Sequence, residues 1–179
     1  MGLLEDQAVK GSIELYYGDA TKVSQTGYVP YGWQFEDEQV CIEVKRGRSI
    51  NCFGLLSRTN EFIYKTTRKN ITSDFIIELL DALSLKLKTY TVVVLDNAQV
   101  HTAKKVKKLL EIWQNRGLFI FYLPPYSPHL NIIERLWKEI KEGWLKPEDY
   151  QSADHLFYAV DRICANVGKE LRINFSQFM

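Results

Sequence analysis

The chain has 179 residues, 46% hydrophobic and 25% charged, with a formal net charge of +1. This is ordinary globular usage in a length suited to one domain with a sizeable core. No apolar run reaches the roughly 18–20 residues of a membrane helix, and the polar, acidic stretch from Met1 to Gly11 excludes a signal peptide. Cys41, Cys52 and Cys164 are too scattered for a metal site and fit reduced thiols in a cytoplasmic protein.

In chain order, residues 1–12 are expected to be a flexible lead-in. SIELYYGDA (12–20) alternates Ile13, Leu15 and Tyr17 with Glu14 and Tyr16, which predicts a half-buried strand ending near Asp19. TGYVPYGWQ (26–34) is a turn-rich connection. QVCIEVKR (39–46), RSINCFGLLS (48–57) and EFIYKTT (61–67) read as strands whose short separations suggest antiparallel hairpins. The period then changes. Ile76, Leu79, Leu80, Leu83 and Leu87 line one face of a helix that Thr72, Ser73 or Asp74 could cap. TVVVLD (91–96) suits a strand covered on both faces. A lysine-lined helix follows, buried through Val106, Leu109, Leu110 and Trp113 and stopped by Gly117. LFIFYLP (118–124) is another buried strand. LNIIERLWKEIKEGWL (130–145) is a helix with Ile133, Leu136, Trp137, Ile140 and Trp144 on one face. The last helix opens at Ser152 and packs through Leu156, Val160, Ile163, Cys164 and Val167.

A strand meander passing into alternating helices and strands gives a mixed sheet with helices on its faces. This is the layout of an α/β, ribonuclease H-like fold, here as a single domain over residues 1–179. Positive charge is concentrated rather than spread: residues 101–146 hold 9 Lys/Arg against 4 Asp/Glu. Basic surface beside acidic residues suits an enzyme that holds a polyanion and cations together, while on charge alone a solvated lysine-rich helix face is the simpler reading.

Three acids sit where such a sheet would gather them. Asp19 follows the first strand, Asp96 ends the central apolar run, and Glu134 lies in the first turn of the helix after the proline loop. Ligands of open α/β sheets collect at strand ends. Clustered carboxylates repel, and a divalent cation such as Mg²⁺ or Mn²⁺ removes the conflict. Singly, each acid has a plainer reading. Asp96 could cap the following helix, Asp19 could sit in a turn, and Glu134 could favour a helix dipole. Pro124, Pro125 and Pro128 stiffen the loop before Glu134. Asn131 is expected to cap that helix, Trp137 to be core, and His129 and His155 to lie at the surface. Glu36, Asp37 and Glu38 read as a solvated acidic turn after Trp33.

VVVLDNAQVHTAKKVKKLLE (92–111) together with FIFYLPPYSPHLNIIERLWKEIK (119–141) resembles the catalytic core of DDE transposases of the mariner superfamily, in particular the bacterial insertion-sequence type. YYGDATKVSQTGYVPYGWQ (16–34) extends the resemblance over the first acid. The resemblance implies a ribonuclease H-like fold, Asp19, Asp96 and Glu134 as catalytic and metal-binding residues, two Mg²⁺ or Mn²⁺ ions, and cutting and joining of DNA at transposon ends. It places Asn97 and His101 near the site in supporting roles. Lys104, Lys105, Lys108, Tyr126, Lys138 and Lys141 are the DNA-binding candidates. The 37 residues between Asp96 and Glu134 slightly exceed the gap in many members, and Ala20 stands where many carry a second acid.

Members usually carry helix-turn-helix DNA-recognition modules ahead of the catalytic domain, and only 18 residues precede Asp19. The expectation is therefore a catalytic half, acting as a homodimer on DNA in a bacterial cytoplasm beside the nucleoid. A separate helix-turn-helix polypeptide would supply recognition, and no membrane is involved. The alternatives are a nuclease of the same fold with another substrate, and an inactive remnant or DNA-binding accessory protein.

Overall fold

The structure, a computed structural model, describes residues 1–25, 48–125 and 127–175, with Pro128 described by its backbone alone. The expected strand at 39–46, the turn-rich segment at 26–34, the acidic run 36–38, Cys41 and Tyr126 lie outside the described residues.

Among the described residues, five strands form one sheet: β1 (Glu14–Ser24), β2 (Ser49–Leu56), β3 (Phe62–Thr67), β4 (Thr91–Leu95) and β5 (Leu118–Tyr122). Their order is β3-β2-β1-β4-β5. The β3-β2-β1 half is antiparallel, as short connections allow. The β1-β4-β5 half is parallel, and helical crossovers make that possible. The mixed α/β sheet flanked by helices is the expected architecture.

The helices are α1 (Gly2–Val9), α2 (Ser73–Ser84), α3 (Lys104–Asn115), α4 (Ile133–Glu139) and α5 (Ala153–Asn166). Thr72 caps α2 by accepting from the Phe75 N–H, and Ser152 caps α5 by accepting from the His155 N–H. Past α3, Gly117 takes a φ of +92°, a conformation that costs glycine little. The helix expected across 130–145 is broken in character: α4 passes into one π-helical turn, Ile140–Trp144.

Strand alternation sends side chains to two separate cores. Tyr17, Val94, Ile50 and Cys52 pack with Ile133, Leu136 and Trp137 of α4 and Leu156, Val160 and Cys164 of α5. Tyr16, Val93, Leu95 and Phe53 pack with Ile76 and Leu80 of α2 and Val106 and Trp113 of α3. No helix among the described residues is long and apolar enough to cross a membrane.

Two readings of the N-terminal end need correction. Residues 2–9 form a helix, tied down by Glu5, which accepts from the Tyr17 hydroxyl and from Arg58 Nε at 2.9 Å. Met1, Leu4 and Ala8 pack against the core. Nor does β1 stop near Asp19; pairing with β2 carries it to Ser24. The sequence alternation ends at Gly18 because a glycine carries no side chain to signal a face. Here one is needed, since a Cβ on Gly18 would lie 2.6 Å from Leu95 and 2.8 Å from Leu55.

Candidate active site

The β1–β4 ladder fixes where the first two acids stand. Its last pair is Tyr17 with Val94. Asp19 lies two residues beyond Tyr17, and Asp96 two beyond Val94. A step of two along a strand returns a side chain to the same face, so Asp19 shares with Tyr17 the face covered by α4, while Asp96 lies just past the end of β4. Asp19 also pairs across β1–β2 with Gly54. A Cβ on Gly54 would lie 3.0 Å from the Trp137 ring and 2.4 Å from Phe62, so this glycine opens the space that α4 fills over Asp19.

Helix α4 is stitched directly to β1. The Trp137 indole Nε1 donates to Asp19 Oδ2 at 3.2 Å. Asn131 Nδ2 donates to the Gly18 carbonyl at 3.2 Å. Asn131 is thus buried and bridging rather than the cap expected from sequence; Ile132 holds the cap position with no side-chain bond. Glu134, one turn before Trp137, is exposed on the first turn of α4.

The carboxylates feel one another. Burial, with the nearby charges of Glu134 and Asp96, pushes the Asp19 carboxyl up to about 7, against a backbone hydrogen bond from Ala20 and the pull of His101. Asp96 is held below the usual carboxylate range, chiefly by His101, whose Nδ1 lies 2.6 Å from Asp96 Oδ1, and further by the Ala98 N–H at 3.1 Å. No Lys or Arg among the described residues pairs with Asp19, Asp96 or Glu134. Nor do the described residues hold any three His, Cys, Asp or Glu gathered closely enough to ligate one ion. Asp19 and Asp96 are neighbours, and Glu134 stands within their electrostatic reach.

His101 is fully buried, and its ring centroid lies 5.7 Å from that of Phe53. Asn97 is exposed and donates to the Leu123 carbonyl at 2.5 Å, tying the end of β4 to the start of the proline loop. Lys104, Lys105, Lys108 and Lys138 are exposed and Lys141 is half-buried. Lys105 is paired with Asp74 at 2.8 Å, and Lys138 lies 3.8 Å from Glu142. His129 and His155 are exposed, as expected. A cavity of about 680 Å³ opens between β3 and α2, lined by Glu14, Tyr16, Glu61 and Lys65 among others; none of the three acids lines it.

A family of known enzymes matches this frame. The model for DDE superfamily endonucleases matches residues 14–157, which holds all three acids. The chain belongs to the DDE superfamily of endonucleases. One curated relative, the uncharacterized protein y4pE/y4sA of Sinorhizobium fredii (strain NBRC 101917 / NGR234), is 30% identical over 76 residues, 42% of this chain and 50% of its own. The Mos1 mariner paired-end complex with Mn superposes with a TM-score of 0.61 at 17% identity, over 91% of this chain and 52% of that one. The catalytic core of BIV integrase superposes with a TM-score of 0.55 at 12% identity, over 88% and 85%. At such identities the structures show the fold, and that fold is the ribonuclease H-like one. This member of the DDE superfamily spans about half the length of the y4pE/y4sA and Mos1 chains.

Sequence reasoning missed the Trp137 bond to Asp19 and the bridging role of Asn131. A motif shows that a tryptophan follows Glu134 by three residues, one helical turn. It does not show that the indole N–H meets a strand 118 positions earlier.

Proposed function

We propose that this DDE endonuclease is the catalytic domain of a transposase, cutting DNA at transposon ends and joining it to a target with Asp19, Asp96 and Glu134 as metal ligands. The observation that carries this is that Asp19 and Asp96 each follow the last β1–β4 pair by two residues, that the charges of Glu134 and Asp96 both reach Asp19, and that no Lys or Arg among the described residues pairs with them. The chemistry of the donors, hard carboxylate oxygens with no Lys or Arg partner among the described residues, suits a small divalent cation such as Mg²⁺ or Mn²⁺. The chemistry that two such ions supply when bound is activation of an oxygen nucleophile and stabilisation of the leaving oxygen at a phosphodiester. The residues around them hold the frame: Trp137 and Asn131 fix α4 on β1, and Asn97 fixes the β4 end on Leu123.

DNA, a homodimer on paired ends, and a separate helix-turn-helix polypeptide complete the proposal. The exposed Lys104 and Lys108 on α3, with Lys105, Lys138 and Lys141, are the candidates for phosphate contact, and Tyr126 is the candidate for stacking on a base or sugar. Binding by the isolated chain is expected to be weak, unselective and steeply salt-dependent. Each of Lys104→Ala and Lys108→Ala should flatten the slope of log affinity against log salt by about 1. A gel shift showing tight, end-specific binding by the chain alone would remove the need for a second polypeptide.

Nicking of supercoiled plasmid in Mn²⁺ tests the catalytic claim. Wild-type protein is expected to nick and Asp96→Ala to fail. Absence of nicking by wild-type protein under every metal condition would favour the inactive remnant or DNA-binding accessory protein instead.

A further inference from the structure

Among the described residues, Asp96 accepts at one oxygen only. Oδ1 takes both the His101 Nδ1–H at 2.6 Å and the Ala98 N–H at 3.1 Å. A carboxylate offers about two acceptor sites per oxygen, so Oδ1 is filled, while Oδ2 accepts from no described residue. The two side chains differ in access: that of His101 is 1% exposed and that of Asp96 50%.

His101 is itself held firmly. Its carbonyl accepts from the Tyr122 hydroxyl at 3.0 Å, and its N–H closes a turn onto the Ala98 carbonyl at 2.9 Å. The other ring nitrogen, Nε2, is buried with no partner among the described residues. A buried polar atom without a partner is destabilising. The Ala98 N–H alone already closes the turn on Asp96, so local structure does not call for an imidazole at this position. What the imidazole adds is the second donor to Oδ1.

We propose that His101 is a positioning residue that fills Oδ1 of Asp96 and so dedicates Oδ2 to a divalent cation. The inference rests on the reading of Asp96 as a metal ligand. A small cation with strict octahedral demands gains from a ligand presented through one fixed oxygen, and partners that orient a ligand are worth 10–100-fold in metal affinity by the usual scale.

Mn²⁺ binding to the full chain, measured by calorimetry and by the Mn²⁺ spin-resonance signal, tests this in four variants. His101→Leu removes the donor and is expected to weaken Mn²⁺ by about 10–100-fold. His101→Asn places an amide N–H where Nδ1 stands and is expected to bind close to wild type. His101→Gln, whose amide reaches the Nε2 position instead, is expected to bind weakly, and this polar pair decides the matter should the leucine variant fail to fold. Equal affinity for the Asn and Gln variants would overturn the proposal. So would a leucine variant that melts earlier yet binds Mn²⁺ like wild type, since that is what packing alone predicts. Asp96→Asn is expected to lose Mn²⁺; undiminished binding there would instead overturn the reading of Asp96 as a ligand, and the proposal with it.

Discussion

Asp19 lies inside a strand and Asp96 just past the end of the neighbouring one. Their environments are opposite. Asp19 is covered by α4, accepts from the Trp137 indole, and has its carboxyl pushed up to about 7 by burial and by the acids beside it. Asp96 is half exposed, accepts from His101 and Ala98, and has its carboxyl held down. The difference comes from backbone context. A residue within a paired strand has its N–H and C=O committed to neighbours, and its side chain meets whatever packs above. A residue at a strand end is followed by a turn whose donors can fold back upon it. The sheet thus holds one carboxylate disposed to take up a proton beside one disposed to stay ionised.

Replacing each acid with its amide sharpens the contrast. Asp19→Asn and Asp96→Asn should each reduce metal-dependent nicking by roughly a thousand-fold or more, because ligands of one site act as a unit. Stability of the metal-free protein should move in opposite directions. Asp19→Asn removes a buried charge and should stabilise at pH 8, by at most about 4 kcal/mol on the linkage scale. Asp96→Asn loses a charge-assisted bond to His101 and should destabilise by about 1 kcal/mol, the low end for a half-exposed carboxylate. Urea melts at pH 8 with chelator present read both values. A shift of the same sign in the two variants would erase the distinction between the two sites.

The wild-type protein should show the same asymmetry on titration. Between about pH 4 and pH 7 the unfolded chain has released the Asp19 proton while the folded one keeps it. Asp19 therefore favours folding most at low pH, and this contribution disappears as pH rises through about 7. Asp96 acts the other way: its contribution is present above the ordinary carboxylate range and disappears as pH falls through its lowered value. In chelator, stability should drop from pH 5 to pH 8 by more in wild type than in Asp19→Asn. Adding Mn²⁺ at pH 8 should restore it, since an ion that binds only the folded state adds stability.

Much of this contrast was legible in the sequence, and the illegible part has a physical cause. Apolar runs and their changing period located β2 to β5, α2, α3 and α5, and the motif around Glu134 located the third acid. Asp96 was legible because a run of Val92 to Leu95 ends on it. The continuation of β1 past Asp19 was hidden because Gly18 carries no side chain and Ala20 and Thr21 give little alternation. Helix α1 was hidden because its apolar stripe, Met1, Leu4 and Ala8, is short, and its remaining anchor is Glu5, bonded to Tyr17 and Arg58 far along the chain. Asn131 looked like a helix cap because cap chemistry is local, whereas its partner is the Gly18 carbonyl, 113 positions away. The bonds that single out this site join distant segments, and no local pattern encodes them.

The smallest effect isolates the β1 side of the pair. Gly54 faces Asp19 across β1–β2 and leaves room for Trp137 and Phe62. In Gly54→Ala the new methyl would meet Phe62 at 2.4 Å and Trp137 at 3.0 Å, so both rings must shift. Phe62 stacks on Tyr64 and meets Trp137 edge-on, with centroids 5.3 and 5.9 Å away. Its half-buried ring can swing, so the cost should fall near the low end of overpacking, about 1 kcal/mol. Displacing the indole weakens its bond to Asp19 and leaves the His101–Asp96 pair untouched. Double-mutant cycles check this: Gly54→Ala should couple with Asp19→Asn and add independently with Asp96→Asn. Coupling to Asp96→Asn of the same size would mean that the two acids respond as one rigid unit, and that the division between strand interior and strand end carries no energetic weight.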